Sequence, residues 1–269
     1  VLTQGMLESH YAKTAHGLIR GTDRYQVVGV IDKTHAGKDA GEVLDGNNRN
    51  IPIVESVAAL RKSGIEAEYL VIGIATKGGL IPDPMREEII QAVIYGLNIV
   101  NGLHEFLEDD RDLLHLAEQQ GVKLIDIRKP RPKNQLQFWK GSIETVNCPK
   151  IAVLGTDCAI GKRTTARMLM EAAKAQGLKS EMIFTGQTGW LQGSKYGFIF
   201  DSTYNDFVSG ELEHAIVSCY QEQKPDIIFV EGQSALQNPT GPCGAEFICS
   251  GRADGVVLQH APGRKYFGD

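Results

Sequence analysis

Apolar and polar positions alternate along this chain in two similar blocks. In the first block YQVVGVID (25–32), YLVIGIA (69–75), NIVNGL (98–103) and KLIDIR (123–128) predict strands. YLVIGIA is a continuous apolar run of the kind buried on both faces of a sheet. Between these runs lie VESVAALRKSG (54–64), PMREEIIQAVIYG (84–96) and DDRDLLHLAEQQG (109–121). Each carries helical spacing and closes on a glycine, and the third opens with acids, which suit a helix N-terminus. Strands separated by helices of this length predict a parallel, doubly wound sheet.

Residues 1–130 therefore read as a Rossmann-like domain. Pro130 to Pro149 interrupts the alternation with three prolines and mixed charge, and 131–149 reads as a linker. The alternation restarts over 150–269. IAVLG (151–155), SEMIF leading into a glycine turn (180–189), DIIFVEGQ (226–233) and DGVVLQH (254–260) predict strands. RTTARMLMEAAKAQG (163–177) and NDFVSGELEHAIVSCYQEQ (205–223) predict helices. The expected fold is α/β, a Rossmann-like domain followed by a P-loop NTPase-like doubly wound parallel-sheet domain. Both ends read as cut: the chain opens Val-Leu-Thr-Gln-Gly, and it stops soon after a strand.

The P-loop assignment rests on 155–164, GTDCAIGKRT. A strand runs into a turn, then Gly161-Lys162, then a helix. Such a loop aims several backbone N–H groups at one spot, at the positive end of a helix and beside a lysine. A phosphate or diphosphate suits that arrangement. Two positions depart from the usual signature. Thr156 stands at the opening glycine position, with Gly155 one step earlier, and Arg163 replaces the Ser/Thr that follows the lysine, with Thr164 one residue late. That hydroxyl holds Mg²⁺ in ordinary nucleotide hydrolases. The residues thus favour phosphate binding over ATP hydrolysis.

Other polar groups fall at expected strand ends, where ligands sit in parallel α/β sheets. Glu231 ends a strong apolar strand and can act as a base or hold a metal. Gly186 and Gly189 bracket Gln187 and Thr188. Asp157 repels a phosphate, so it orients a metal, a loop N–H or an acceptor amine; Cys158 fills a tight loop or offers a nucleophile. In the first block Lys13 and His16 (AKTAHGLIRG, 12–21), Lys77 (ATKGG, 75–79) and His104 (NGLHE, 101–105) would gather along one sheet edge. Together they suit an anionic small molecule. No G-x-G-x-x-G follows a strand, which argues against a nicotinamide cofactor.

Composition narrows the partners. The 269 residues carry a formal net charge of −5, and they are 42% hydrophobic and 23% charged. No basic field favours nucleic acid. The one local excess, Arg128-Lys129-Pro130-Arg131-Pro132-Lys133, reads as a solvated linker. No apolar run approaches 18 residues, so no transmembrane helix is expected. The five dispersed cysteines predict reduced thiols and a cytoplasmic setting. EEIIQAVIYG can pack within the sheet or against a sister subunit of a homo-oligomer.

Two resemblances attach to these motifs. TDCAIGK and VEGQ resemble the loop and strand of dethiobiotin synthetase and its relatives, over the second half only. AKTAHGLIRG, the GLH of 102–104, GTDCAIGK with a basic residue next, TGQTG, and VEGQ with Asn-Pro soon after resemble the D-glutamate N-acetyltransferase family from end to end. The second resemblance implies acetyl transfer from acetyl-CoA to the amino group of D-glutamate or a similar acidic amino acid. It implies that Gly155, Thr156, Cys158, Ala159, Ile160, Gly161, Lys162, Arg163 and Thr164 hold the coenzyme. Glu231 would be the base, with Gln233 beside it. Gln187 or loop N–H groups would face the oxyanion, Asp157 would orient the loop or the amine, and Lys13, His16 and His104 would face the substrate carboxylates. Two alternatives stay open: an ATP-dependent synthetase with Mg²⁺ on Glu231 and Asp157, and a non-catalytic nucleotide- or CoA-binding protein. TGW at 188–190 and SALQNP at 234–239 depart from the family pattern and bear on substrate choice.

Overall fold

The computed structural model describes residues 1–239 and 241–267. Thr240, Gly268 and Asp269 lie outside the described residues, so the second domain, expected to reach 269, is described to 267. Two compact units emerge. One is Val1–Lys129 with Leu191–Gly193, the other Pro130–Trp190 with Ser194–Asp269.

The first unit contains, in chain order, α1 (Lys13–Arg20), β1 (Val30–Ile31), α2 (Ala40–Asp45), β2 (Ile53–Val54), α3 (Val57–Lys62), β3 (Tyr69–Val71), α4 (Asp83–Ile94), β4 (Asn98–Asn101), α5 (Arg111–Gln120) and β5 (Leu124–Asp126). β1 pairs parallel with β2, and β3, β4 and β5 pair parallel in that order. Leu2 bridges Ile31 on one side and Ile72 on the other, which joins the two ladders. The opening segment is therefore central, and the strand order reverses beside it, as in a doubly wound sheet. Leu2, Ile72, Met85, Ile89 and Ile99 form the buried core between sheet and helices. Asp110 caps α5 by accepting the N–H groups of Asp112 and Leu113, and Gly121 closes it in the left-handed conformation.

The ladders are shorter than the apolar runs predict. Of YQVVGVID only Val30–Ile31 pairs, because Pro52 ahead of β2 has no N–H to extend the ladder. Beyond Ile31 the Asp32 carboxylate turns the chain by accepting Thr3 Oγ1 at 2.7 Å and the N–H groups of Gly5 and Leu7 at 2.9 and 3.1 Å.

The second unit contains β6 (Lys150–Gly155), α6 (Lys162–Ala175), β7 (Ser180–Phe184), α7 (Gln187–Leu191) up to Trp190, β8 (Tyr196–Gly197), α8 (Asn205–Gln223), β9 (Ile227–Glu231), α9 (Ala245–Cys249) and β10 (Gly255–Gln259). The sheet order is β10-β6-β9-β7-β8, parallel throughout. Ala152, Val153 and Leu154 of β6 are fully enclosed, and Leu212, Ile216 and Phe247 fill the core on the α8 side. The fold is thus the expected α/β arrangement, a Rossmann-like unit and a P-loop unit.

Pro130–Pro149 has no α-helix or strand, yet it is bound to the second unit. Glu211 and Glu213 of α8 are 3% exposed and accept its N–H groups: Gln137 at 2.8 Å, Lys140 at 2.7 Å and Ile143 at 3.0 Å. Buried carboxylates need such partners. In the basic run 128–133, Lys129, Arg131 and Lys133 are exposed to solvent. Arg128 is buried and donates to the Gly102 carbonyl at 2.7 Å, Lys129 pairs with Glu108, Arg131 with Glu211, and Lys133 sits over the Tyr204 ring.

Candidate functional site

Residues 156–161 connect the end of β6 to the start of α6 at the carboxyl edge of the second sheet. Gly161 caps α6 at φ +97°, a conformation that glycine adopts without strain. Ala159 holds φ +50° and Ser234 φ +47°, each a strained setting for a side-chain-bearing residue. Lys162 is buried, and its Nζ donates to the carbonyls of Asp157 at 2.7 Å and Ser234 at 2.5 Å. Burial draws its pKa below the ordinary lysine value, and the nearby Cys158, Glu231 and Asp157 oppose that shift. The first-turn N–H groups of α6, including those of Lys162, Arg163 and Thr164, lack intrahelical acceptors and lie at the positive end of a 14-residue helix. β10 braces the loop from the side. Thr156 N–H donates to Gln259 O at 3.1 Å, Thr156 Oγ1 shares a hydrogen bond with His260 Nδ1 at 2.9 Å, and Thr165 Oγ1 donates to Gln259 Oε1 at 2.9 Å. Cys158 Sγ lies 3.8 Å from Ser234 Oγ.

Glu231 ends β9 in register with Val153 of β6, so it stands beside the strand that feeds the loop. It is 6% exposed. Oε2 accepts the Thr185 N–H at 3.0 Å, and its main-chain carbonyl accepts Thr185 Oγ1 at 2.7 Å. Burial raises its pKa above the ordinary carboxylate range; Arg163, the N–H groups of Thr185 and Gly186, and Lys162 pull it back. Gln233 Nε2 donates to Thr185 O at 2.8 Å.

The segment 185–189 was expected to be a glycine turn; it begins a short helix instead, α7, with Gln187 and Thr188 buried. Glycines stand at 186 and 189 because of close approach. A methyl on Gly189 would lie 2.9 Å from Glu231 Oε2, and one on Gly186 would lie 2.6 Å from Gln233 Nε2. The glycines let the backbone leading into and through α7 settle on those two side chains.

Asp157 faces protein groups. Oδ1 accepts its neighbour Cys158 N–H at 2.7 Å and Asn238 Nδ2 at 3.3 Å, and Oδ2 pairs with Arg264 Nη1 at 2.8 Å. Arg264, Ser234, Gln259 and His260 were not among the expected site residues. Arg264 is 107 positions from Asp157, and no local pattern connects them.

The first-unit residues lie at the carboxyl edge of their own sheet. Lys13 opens α1 and is exposed, and His16 follows one turn later. His16 Nε2 donates to the Leu7 carbonyl at 2.6 Å, which fixes the proton on that nitrogen. Burial lowers the His16 pKa, the Leu7 carbonyl opposes this, and Arg20 adds to it. His104 is exposed after β4, and its N–H donates to the Gly79 carbonyl at 3.0 Å. Ala75 N–H donates to Tyr11 O at 2.7 Å, so the start of α1, the loop after β3 and the loop after β4 are tied in sequence. The side chain of Lys77 lies outside what the structure describes. A cavity of about 530 Å³ in this unit opens at the opposite edge, among Leu18, Tyr25, Gly29, Tyr69 and Leu97. It contains none of the residues above, and ligands of parallel sheets bind at the carboxyl edge.

Comparison with known proteins follows the same division. A Rossmann-like domain of unknown function, DUF1611_N, matches residues 33–130, and a P-loop domain of unknown function, DUF1611_C, matches residues 137–269. The crystal structure of a DUF1611 family protein from Anabaena variabilis ATCC 29413 is similar at a TM-score of 0.88 and 35% identity, covering 99% of this chain and 75% of that one. A D-glutamate N-acetyltransferase from Tritonibacter scottomollicae is 30% identical over 224 residues, 83% of this chain and 65% of the relative. Another from Pseudoalteromonas sp. is 31% identical over 201 residues, 74% of this chain and 58% of the relative. The matched regions thus span under two thirds of these two relatives' length. The family resemblance read from the motifs is borne out.

Proposed function

This chain belongs to the DUF1611 family, and on that footing we propose that it is an N-acetyltransferase. It moves an acetyl group from acetyl-CoA to the amino group of D-glutamate or a similar acidic amino acid. The names of the two curated relatives support the reaction class. The observation that carries the reading is local: a cation-lined phosphate loop sits beside the strand that ends in a buried carboxylate, Glu231.

The donor set fits a coenzyme diphosphate. The N–H groups at the start of α6, Lys162 and Arg163 would hold it, since a guanidinium neutralises phosphate without a metal. Gly155 to Thr164 form the walls of that cradle. Acetyl-CoA supplies an activated acyl thioester. The acceptor must lose an ammonium proton before its nitrogen is nucleophilic, and Glu231 takes that proton. A raised pKa makes Glu231 a better proton acceptor than an ordinary carboxylate. Gln187 and loop N–H groups face the developing oxyanion. Gln233 holds the Thr185 carbonyl and so fixes the wall next to Glu231. Asp157 orients the loop. Lys13, His16 and His104, at the carboxyl edge of the first unit's own sheet, suit an anionic small molecule there.

The ATP-dependent alternative asks Asp157 and Glu231 to carry Mg²⁺. Asp157 would first have to release the Arg264 guanidinium, which makes it a poor metal ligand as placed. Among the described residues no helix is long and apolar enough to cross a membrane.

The test is a thermal-shift panel on the intact protein, with CoA, acetyl-CoA and ATP-Mg²⁺, followed by a thiol-release assay with acetyl-CoA and D- or L-glutamate. Stabilisation by CoA and acetyl-CoA with thiol release on adding D-glutamate supports the reading. Stabilisation by ATP-Mg²⁺ alone replaces it with the synthetase reading, and binding without turnover of any amine replaces it with a sensor.

A further inference from the structure

We infer that Arg264 is a positioning residue for the phosphate loop, a clamp that aims the loop's N–H donors at the bound anion. The inference rests on the reading of 155–164 as a phosphate site. Arg264 Nη1 donates to Asp157 Oδ2 and to the Cys158 carbonyl, both at 2.8 Å, and Nη2 donates to the Ala159 carbonyl at 3.2 Å. One guanidinium thereby grips three successive loop residues.

The consequence follows from peptide geometry. In a planar trans peptide the carbonyl and the next N–H point in opposite directions. With the carbonyls of Cys158 and Ala159 turned toward Arg264, the N–H groups of Ala159 and Ile160 point to the loop's other face. Those are donors that a phosphate loop directs at its ligand. The clamp is also needed here for a local reason. The loop has no glycine between Gly155 and Gly161, so Ala159 must hold φ +50° itself. A left-handed alanine relaxes unless something over-determines it. The bonds to the carbonyls on either side of Ala159 Cα do so. Asp157, 4% exposed, completes the clamp: it pairs with the guanidinium and also takes the Cys158 N–H and the Asn238 amide. A buried carboxylate inside a phosphate loop, unexpected as a ligand for an anion, thus serves as the anchor for the arginine behind it.

The experiment is calorimetric titration of the intact protein with inorganic pyrophosphate and, separately, with CoA, in EDTA. Wild type, Arg264→Ala and Arg264→Lys are compared, with guanidinium chloride added at low millimolar concentration. Losing the clamp weakens binding of both probes by about 10–100-fold, the usual scale for charge-assisted hydrogen bonds. Guanidinium restores part of the affinity of Arg264→Ala. Arg264→Lys stays weak, because an ammonium cannot span three acceptors in a fixed plane. Equal affinities in wild type and Arg264→Ala, even with a lowered melting temperature, overturn the inference and leave the phosphate reading standing. Binding of pyrophosphate but not CoA in wild type removes the coenzyme reading while the pyrophosphate comparison still decides the role of Arg264. No binding of either probe by wild type overturns both.

Discussion

Replacing Glu231 by Gln separates the charge of this residue from its shape. The carboxyl is 6% exposed, its Oε2 accepts the Thr185 N–H at 3.0 Å, and Gly189 packs against it. A glutamine side chain keeps the volume and the acceptor but carries no charge. Burial holds the folded-state pKa above the ordinary 4.5, the dominant cause, against the opposing pull of Arg163, the backbone N–H groups and Lys162. The sign follows by linkage. Below pH 4.5 the group is protonated folded and unfolded, and its contribution is fully present. Above that, the unfolded chain ionises first, so the contribution falls as pH rises toward the folded pKa and is lost beyond it. Each pH unit within that window removes about 1.4 kcal/mol from wild type relative to Glu231→Gln. For a domain of this size that is about 3–6 °C in melting temperature per unit. The assay is thermal denaturation of both proteins from pH 4 to 9 at constant ionic strength. The curves meet at the acid end and diverge upward in pH, with Glu231→Gln the more stable. Parallel curves across the range would show that the carboxyl titrates alike in both states and that burial does not raise its folded-state pKa. In the same pair, turnover falls far more than CoA affinity, and the acid limb of the wild-type rate profile lies above the ordinary glutamate range.

Three further outcomes are expected. Gly189→Ala places a methyl against Glu231 Oε2 and Phe184, destabilises the protein by about 1–3 kcal/mol and lowers turnover, as denaturant melts and kinetics will measure. Lys162→Met removes the loop's buried cation and the donor to the carbonyls of Asp157 and Ser234; CoA affinity measured by calorimetry falls by about 100-fold or more if the diphosphate sits there. Glu213→Ala leaves the N–H groups of Lys140 and Ile143 without their carboxylate, which costs about 1–3 kcal/mol and increases proteolytic cutting within 130–149 before any cutting in β6.

Much of this architecture was readable from local pattern. IAVLG, the loop and its helix form β6, 156–161 and α6 because a buried parallel strand, a Gly-Lys turn and helical spacing are each short-range signals. The central position of Glu231 follows in the same way from DIIFVE, an apolar strand ending in an acid. What failed was decided across the chain. The turn expected at 185–189 covers only 185–186 before α7 begins, and Thr185 is held there by Glu231 and Gln233, over forty positions later. In the basic run 128–133 only Arg128 is buried, and its acceptor, the Gly102 carbonyl, is set by the fold and not by local pattern. β8, two residues long, and the six-residue α2 give too few positions for a period to register. Arg264 sits in an irregular stretch after β10, and only the folded chain brings it behind the loop.

The most direct measurement is a crystal structure of the intact protein grown with CoA in the presence of EDTA. The account predicts the pyrophosphate on the N–H groups of 159–163 beside Lys162 and Arg163, no cation between its oxygens, and the pantetheine arm running toward Glu231. A coenzyme bound elsewhere, or a phosphate ligand that enters this loop only with Mg²⁺ held by Asp157, would contradict it.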